Sequence, residues 1–353
     1  MLPPAPPLTR LNVGSLAEDI LKGNLIVFLG AGASLSSPLP GKPNCTLPSA
    51  SRLSRILLAQ LYRDPGYKQE INRCIHLQLS SNLSLAAQYC ASVADEDWVY
   101  NKLTSVFTGD YQPTDLHRAL ASVTKRQERH SPKYPRHAPL VLTTNYDMIV
   151  EKALSEIGQC FDQIVYRSTP FTLPDGELDR KGYFLRTKSD FDPVAGKWST
   201  SRTVIEDPAK DTGISVTGDV YEHLHTRPVL LKIHGSRHDS NALASYIITQ
   251  DHYIRYLSQM NAKSFLPAQL INILRNHRYL FLGYSLTDSN VHAQLSQFWD
   301  LQPVQTRHYA IRRNPTAVEV QLWKQRGVDI YNGDLNDFGA DLLRELQSRA
   351  PLP

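Results

Sequence analysis

Cysteine is scarce in this chain of 353 residues: Cys45, Cys74, Cys90 and Cys160 are all there is, and no two are close in sequence. That spacing excludes a C-x-x-C metal knuckle, and so sparse a set suits a reducing compartment in which thiols stay unpaired. Charge of one sign is equally short. The 38 Lys and Arg exceed the 34 Asp and Glu by four, too small a surplus to argue for wholesale nucleic-acid binding. Long hydrophobic runs are missing: the longest apolar stretch, Leu25 to Ala33, is under half the length that spans a bilayer. The start, Met1-Leu2-Pro3-Pro4-Ala5-Pro6-Pro7, lacks the basic residues and apolar centre of a secretion signal. These absences lead to the expectation of a cytoplasmic protein with no membrane segment. With 41% hydrophobic and 20% charged residues, the composition is that of ordinary globular material.

What is present is a set of short apolar runs: Leu25–Leu29, Leu140–Leu142, Val229–Ile233, Tyr279–Leu282, His308–Ile311 and Val328–Tyr331, with a weaker seventh at Gln163–Tyr166. Continuous runs without alternation are how strands covered on both faces of a parallel sheet read. Between them lie helical stripes, such as Leu53, Ile56, Leu57 and Leu61, or Leu335, Phe338, Leu342, Leu343 and Leu346. The alternation predicts an α/β fold with a doubly wound, mostly parallel Rossmann-like sheet. Its core is expected at about 11–66, 138–166 and 228–353. Residues 67–137 read as an inserted helical module, and 167–227, rich in Gly, Pro, Ser, Thr and Asp, as an irregular insert or lid. The basic stretch Lys125 to His130, with Lys133, Arg136 and His137 behind it, reads as a solvated linker, with a phosphate-contacting patch as the alternative.

Most of these runs end on a cluster that carries chemistry. Gly30-Ala31-Gly32-Ala33-Ser34 follows the first strand; glycines there let the backbone approach a pyrophosphate, and a following helix would aim its N–H groups at the anion. A Walker phosphate loop is excluded, because no Gly-Lys-Ser/Thr stands at the needed spacing. A hydride-transfer fingerprint fails too: Leu35 replaces its third glycine and the next acid is Asp64. Thr144-Asn145-Tyr146-Asp147 closes the second strand, where Asn and Asp serve either as helix caps or as ligand-binding groups. His234-Gly235-Ser236 closes another, and its imidazole is either a structural hydrogen-bonding group or a general base. The neighbouring His223, His225 and His238 are irregularly spaced with no acid or thiol to complete a set, so no metal site is expected. Gly283-Tyr284-Ser285 opens a further turn, with Asp288 and Ser289 suited to cap a helix.

Together these motifs, from about Leu25 to the C-terminus, resemble the sirtuin-like NAD-binding domain. Within that family the chain is most similar to the bacterial antiphage-defence branch, whose members hydrolyse NAD instead of deacylating lysines. The C-x-x-C zinc module of the deacylases is missing. Their acidic-aromatic-arginine stretch is replaced by the proline-rich Leu35 to Ser51, and their Gln-Asn-Ile-Asp by Thr144-Asn145-Tyr146-Asp147.

The resemblance implies an NAD hydrolase that cleaves the nicotinamide–ribose bond to nicotinamide and ADP-ribose. No zinc is expected, and NAD is the substrate. Departure of neutral nicotinamide from a pyridinium needs no proton, unlike ordinary glycoside hydrolysis. The catalytic roles fall to Asn145, which would hold the ribose hydroxyls or a water; to His234, as general base or ribose anchor; and to Asp147, near the carboxamide. Gly30, Gly32, Ala33 and Ser34 would hold the diphosphate, with Ser285 and Asp288 toward the adenosine, and Ala31, Thr144 and Gly283 complete the expected NAD-binding set. The alternatives are a deacylase, an ADP-ribosyltransferase, or a non-catalytic module sensing NAD or ADP-ribose. Because free NAD hydrolysis would kill its host, a latent homo-oligomer is expected, docked on a separate regulatory partner. A HerA-type ATPase is expected first and an Argonaute second, with any nucleic acid engaged only through that partner.

Overall fold

The computed structural model describes residues 3–66, 79–130, 139–167, 171–172, 178–179, 183–205, 227–237, 245–260, 268–285 and 307–352. Nine strands form one sheet: β1 (Leu25–Leu29), β2 (Leu140–Thr143), β3 (Phe161–Arg167), β4 (Tyr183–Asp192), β5 (Lys197–Ile205), β6 (Val229–Lys232), β7 (Arg278–Leu282), β8 (His308–Arg312) and β9 (Val328–Asn332). Their spatial order is β9-β8-β7-β1-β2-β6-β3-β4-β5. The seven strands from β9 to β3 are parallel, and they are the seven runs read from sequence. Strand order reverses beside β1: the chain runs first to β2 on one side and later through β7 to β9 on the other. That reversal opens a crevice at the carboxyl ends of β1 and β7, where doubly wound sheets bind ligands.

Every residue of β1 is buried, and its side chains alternate between two cores. Ile26 and Phe28 pack among Tyr253, Tyr256, Leu274 and Trp323 on one face. Leu25, Val27 and Leu29 pack among Leu16, Leu120, Phe338 and Leu342 on the other. The first face is covered by α7 (Gln250–Met260), α8 (Ala268–Asn276) and α9 (Ala317–Gln325), and the second by α1 (Val13–Leu21), α5 (Asp115–His130) and α10 (Leu335–Arg349). A third core joins α2 (Ala50–Arg63), α3 (Leu83–Val93) and α4 (Glu96–Phe107) to Tyr146, Ile149, Tyr246 and Ile248 at the sheet's carboxyl edge. No helix among the described residues is long and apolar enough to cross a membrane.

Three expectations change. The helical module includes α2, whose Leu53, Leu57 and Leu61 face α3, while α5 leaves it to pack on α10 and α1 beneath the sheet. An amphipathic stripe shows that a helix is covered but not by what, so sequence could not divide them. The segment read as an irregular insert carries the antiparallel hairpin β4–β5, which extends the sheet past β3. Its strands are polar on both faces, which removes the hydrophobic period. Their turn is nevertheless a local signal, since Asp192 accepts from the amides of Val194 and Ala195, and Gly196 has φ +63°. Finally, Lys125 to His130 are the last turns of α5 rather than a solvated linker. The buried Arg126 donates to the C-terminal carbonyls of Leu346 and Ala350, capping α10 with a cation. Lys133, Arg136 and His137 lie outside the described residues.

Two buried histidines make this fold acid-sensitive. His117, on α5, lies 2.8 Å from the Thr114 hydroxyl; burial, and then the Arg118 charge, push its pKa down from 6.5 to about 4. His308, on β8, accepts the Tyr279 amide on Nδ1, and burial, then Arg278, push it to about 4 as well. Both must stay neutral in the folded chain, whereas the unfolded chain protonates them near 6.5. The stability they contribute is therefore present above pH 6.5 and lost as pH falls toward 4, on the order of 3 kcal/mol for each. Denaturant midpoints should drop across that window, with a shallower drop in His117→Gln. Midpoints level from pH 6.5 to 4 would contradict this.

Candidate functional site

The cavity at the reversal point has a volume of about 750 Å³. Ala31, Gly32, Ser34, Thr144, Asn145, Asp147, His234, Gly283 and Ser285 all line it. Four strand ends far apart in sequence thus deliver their motifs to one space. Gly30 and Ala33 are not among its lining residues, and Asp288 lies outside the described residues. So do His223, His225 and His238; among the described residues no group of three metal-ligating side chains forms.

The glycine turn does something other than the sequence suggests. Gly30 donates its amide to the carbonyl of Leu282 at 2.9 Å, and Gly32 donates to that of Gly283 at 2.8 Å. A Cβ on Gly30 would stand 2.6 Å from the Tyr284 Cα, and one on Gly32 would stand 2.7 Å from the Gly283 Cα. Gly283, at φ +68°, would put a Cβ 2.1 Å from the Ala33 nitrogen. The close approach these glycines allow is therefore between the β1 and β7 turns. After Gly30 comes a single 3₁₀ turn, Ala31–Ser34, rather than the helix expected. The long helix that opens on the cavity is α2, through Ser49, Ala50 and Ser51, with Ser49 as its N-cap.

Asn145 is buried and braces the same turn. Its Nδ2 donates to the Gly30 carbonyl at 3.0 Å and to Ser34 Oγ at 3.3 Å. Its own amide donates to Thr143 Oγ1 at 3.0 Å, and Thr143 donates in turn to the Leu29 carbonyl at 2.9 Å. A backbone carbonyl can only accept, so the amide orientation is determined. The remaining atom, Oδ1, is buried without a hydrogen-bond partner among the described residues. Asp147 is a local helix cap: its Oδ1 accepts the Ile149 amide at 3.1 Å.

His234 lies two residues past the end of β6 and Asn145 two past the end of β2, and Lys232 and Thr143 are register partners on these adjacent parallel strands. It is 3% exposed and meets Tyr253 edge-on at 5.2 Å between ring centroids. Gly235, at φ +86°, follows because a Cβ would fall 2.0 Å from the Ser245 carbonyl oxygen. Tyr146 completes the wall, its hydroxyl donating to the Ile247 carbonyl at 2.7 Å.

Further lining residues escaped the sequence reading. Arg312 and Arg313 stand at the end of β8, and Asp334 just beyond β9. Arg312 pairs with Glu319 at 2.8 Å and Arg313 with Asp334. Their signal was available, since they follow apolar runs as the other motifs do. Phe107 on α4 and Tyr253 on α7 also line the cavity from helices, where no sequence pattern marks them.

The fold and this site define a class. The SIR2-like domain family matches residues 139–331, more than half of the chain, and the protein belongs to it. The matched segment contains Asn145, Asp147, His234, Gly283 and Ser285. Among curated proteins the chain is similar to the NAD(+) hydrolase ThsA of Enterococcus faecium, 23% identical over 306 residues. That alignment takes in 86% of this chain and 46% of the relative, so the chain spans about half the relative's length.

The interlocked turns are open to a direct test. Gly283→Ala should cost about 3 kcal/mol or more, combining left-handed backbone strain with a backbone clash. A denaturant midpoint equal to that of the unaltered protein would contradict the interlock.

Proposed function

We propose that the protein hydrolyses NAD to nicotinamide and ADP-ribose. The observation that carries this is the buried, unpartnered Oδ1 of Asn145, a residue that lines one cavity together with His234. A volume of about 750 Å³ falls within the roughly 300–1,000 Å³ typical of ligand pockets. The family match and the name of the Enterococcus relative support NAD as the molecule bound.

In this scheme Asn145 acts as an acceptor only, because Gly30 and Ser34 already occupy its N–H groups. Its Oδ1 receives a ribose hydroxyl or the attacking water. The bond from C1 of the ribose to the pyridinium nitrogen breaks, and its electron pair leaves with neutral nicotinamide. Water then adds to the oxocarbenium-like carbon and gives up a proton, for which His234 is the base. One Asp147 oxygen caps α6 (Ile149–Glu156); the other is left for the carboxamide and for the developing positive charge. Phe107 and Tyr146 form the apolar end suited to the nicotinamide ring. Ala31, Gly32, Ser34, Thr144 and the start of α2 face the diphosphate. Gly283, Ser285 and the Arg312–Asp334 end face the adenosine.

The wider reading is an NAD-depleting effector of a bacterial antiphage system acting by abortive infection. It would be self-associated and held latent by a separate subunit. The test is nicotinamide release from NAD by the purified chain, alone and with the product of a neighbouring gene. Asn145→Ala and His234→Ala should each lower turnover by about 10²–10⁴-fold. Turnover unchanged in both variants overturns the site. Release that requires an acetylated peptide would make the protein a deacylase instead.

A further inference from the structure

Beneath the cavity floor lies a buried polar cluster that the hydrolysis scheme leaves unused. Lys232, on β6, is 1% exposed. Its Nζ donates to the main-chain carbonyl of Asp147 and, at 2.8 Å, to Oε1 of Glu151 in the first turn of α6. The same Glu151 oxygen accepts Nε2 of Gln163, from β3, at 2.5 Å. Lys232 stands two residues before His234 on one strand, and Asp147 two residues after Asn145. A single ammonium therefore ties the strand bearing the imidazole to the loop bearing the carboxamide.

Stability does not explain this choice. Burying two charges costs about as much as their attraction returns, and apolar residues of similar volume commonly replace such pairs at no loss. Leu230 and Leu231 of the same strand show that apolar side chains pack here. Other bonds position the loop just ahead of Asp147: Arg237 donates its amide to the Tyr146 carbonyl, and Asn145 donates its own to Thr143 Oγ1. The Asp147 carbonyl is held by Lys232.

We propose that Lys232 and Glu151 are positioning residues: the pair sets the height of the Asn145–Asp147 loop so that Asn145 Oδ1 and His234 address the same ribose. This rests on the NAD-cleavage reading above.

The test compares two double variants. Lys232→Met with Glu151→Leu replaces the pair by apolar volume and strands no charge. Asp162→Leu with Arg186→Met removes another buried pair, joined at 2.6 Å between β3 and β4 and absent from the cavity lining; Arg227, which also faces Asp162 at 3.6 Å, keeps its Asp190 partner. The first should keep KM for NAD within about threefold while kcat falls about 10- to 100-fold, the size of effect a small misplacement of reacting groups produces. The second should keep kcat. If the first double variant does not fold, Glu151→Gln carries the same comparison, with kcat expected to fall and KM to hold. Unchanged kcat overturns the proposal, as does an equal loss in the Asp162/Arg186 variant, which would mark general loss of rigidity. Amide exchange at 144–148, followed by mass spectrometry, gives a readout that needs no turnover. Faster exchange confined to that loop is expected, and unchanged exchange overturns the proposal. Failure of the unaltered protein to release nicotinamide overturns only the NAD reading.

Discussion

The carboxamide of Asn145 has one available orientation, and the geometry of the site follows from it. Because the Gly30 carbonyl must be met by a donor, the NH₂ group points to the glycine turn and the oxygen is left buried without a partner among the described residues. That bond, with the one from Thr143 Oγ1 to the Leu29 carbonyl, ties the end of β2 to the end of β1. The Gly30 and Gly32 amides join β1 to β7, and the Lys232–Thr143 register sets β6 beside β2. Four strand ends are thus held at a common level by backbone groups that cannot rearrange without breaking the sheet. The asparagine beside the cavity accordingly has its donors engaged and only its acceptor unused.

The same arithmetic reassigns the glycines. In a dinucleotide fold the turn after the first strand is expected to make room for phosphate. Here Gly30 and Gly32 make room for the neighbouring turn, and the long helix whose start lines the cavity is α2. The intervening proline-rich stretch contains the strand pair Pro38–Leu39 and Lys42–Thr46 in place of the expected helix. Both features keep the glycines necessary while changing what they are necessary for.

Much of the fold was legible because burial on two faces leaves an unbroken apolar run. Six of the seven parallel strands read this way, β3 being the weaker signal because Asp162 and Gln163 interrupt it, and the ends of four of them meet at the cavity. The hairpin β4–β5 was illegible because its strands carry polar residues on both faces and pair only at the sheet's edge; Arg186 on β4 is buried because Asp162 on β3 receives it. The division between α2 and α5 was illegible because period alone does not name a partner. Sequence singled out Asn145 and His234 by type and position, and both line the cavity. It could not show that the Asn145 amide is already engaged, since its partners lie more than a hundred residues earlier. Nor could it separate capping from chemistry for Asp147, which caps α6 with one oxygen.

The most direct test of the central claim is a structure of the protein with ADP-ribose bound. A ribose hydroxyl should lie within hydrogen-bonding distance of Asn145 Oδ1, with His234 on the same sugar and Asn145 Nδ2 still on the Gly30 carbonyl. ADP-ribose bound away from that oxygen, or an Asn145 side chain turned to donate into the cavity, would contradict it.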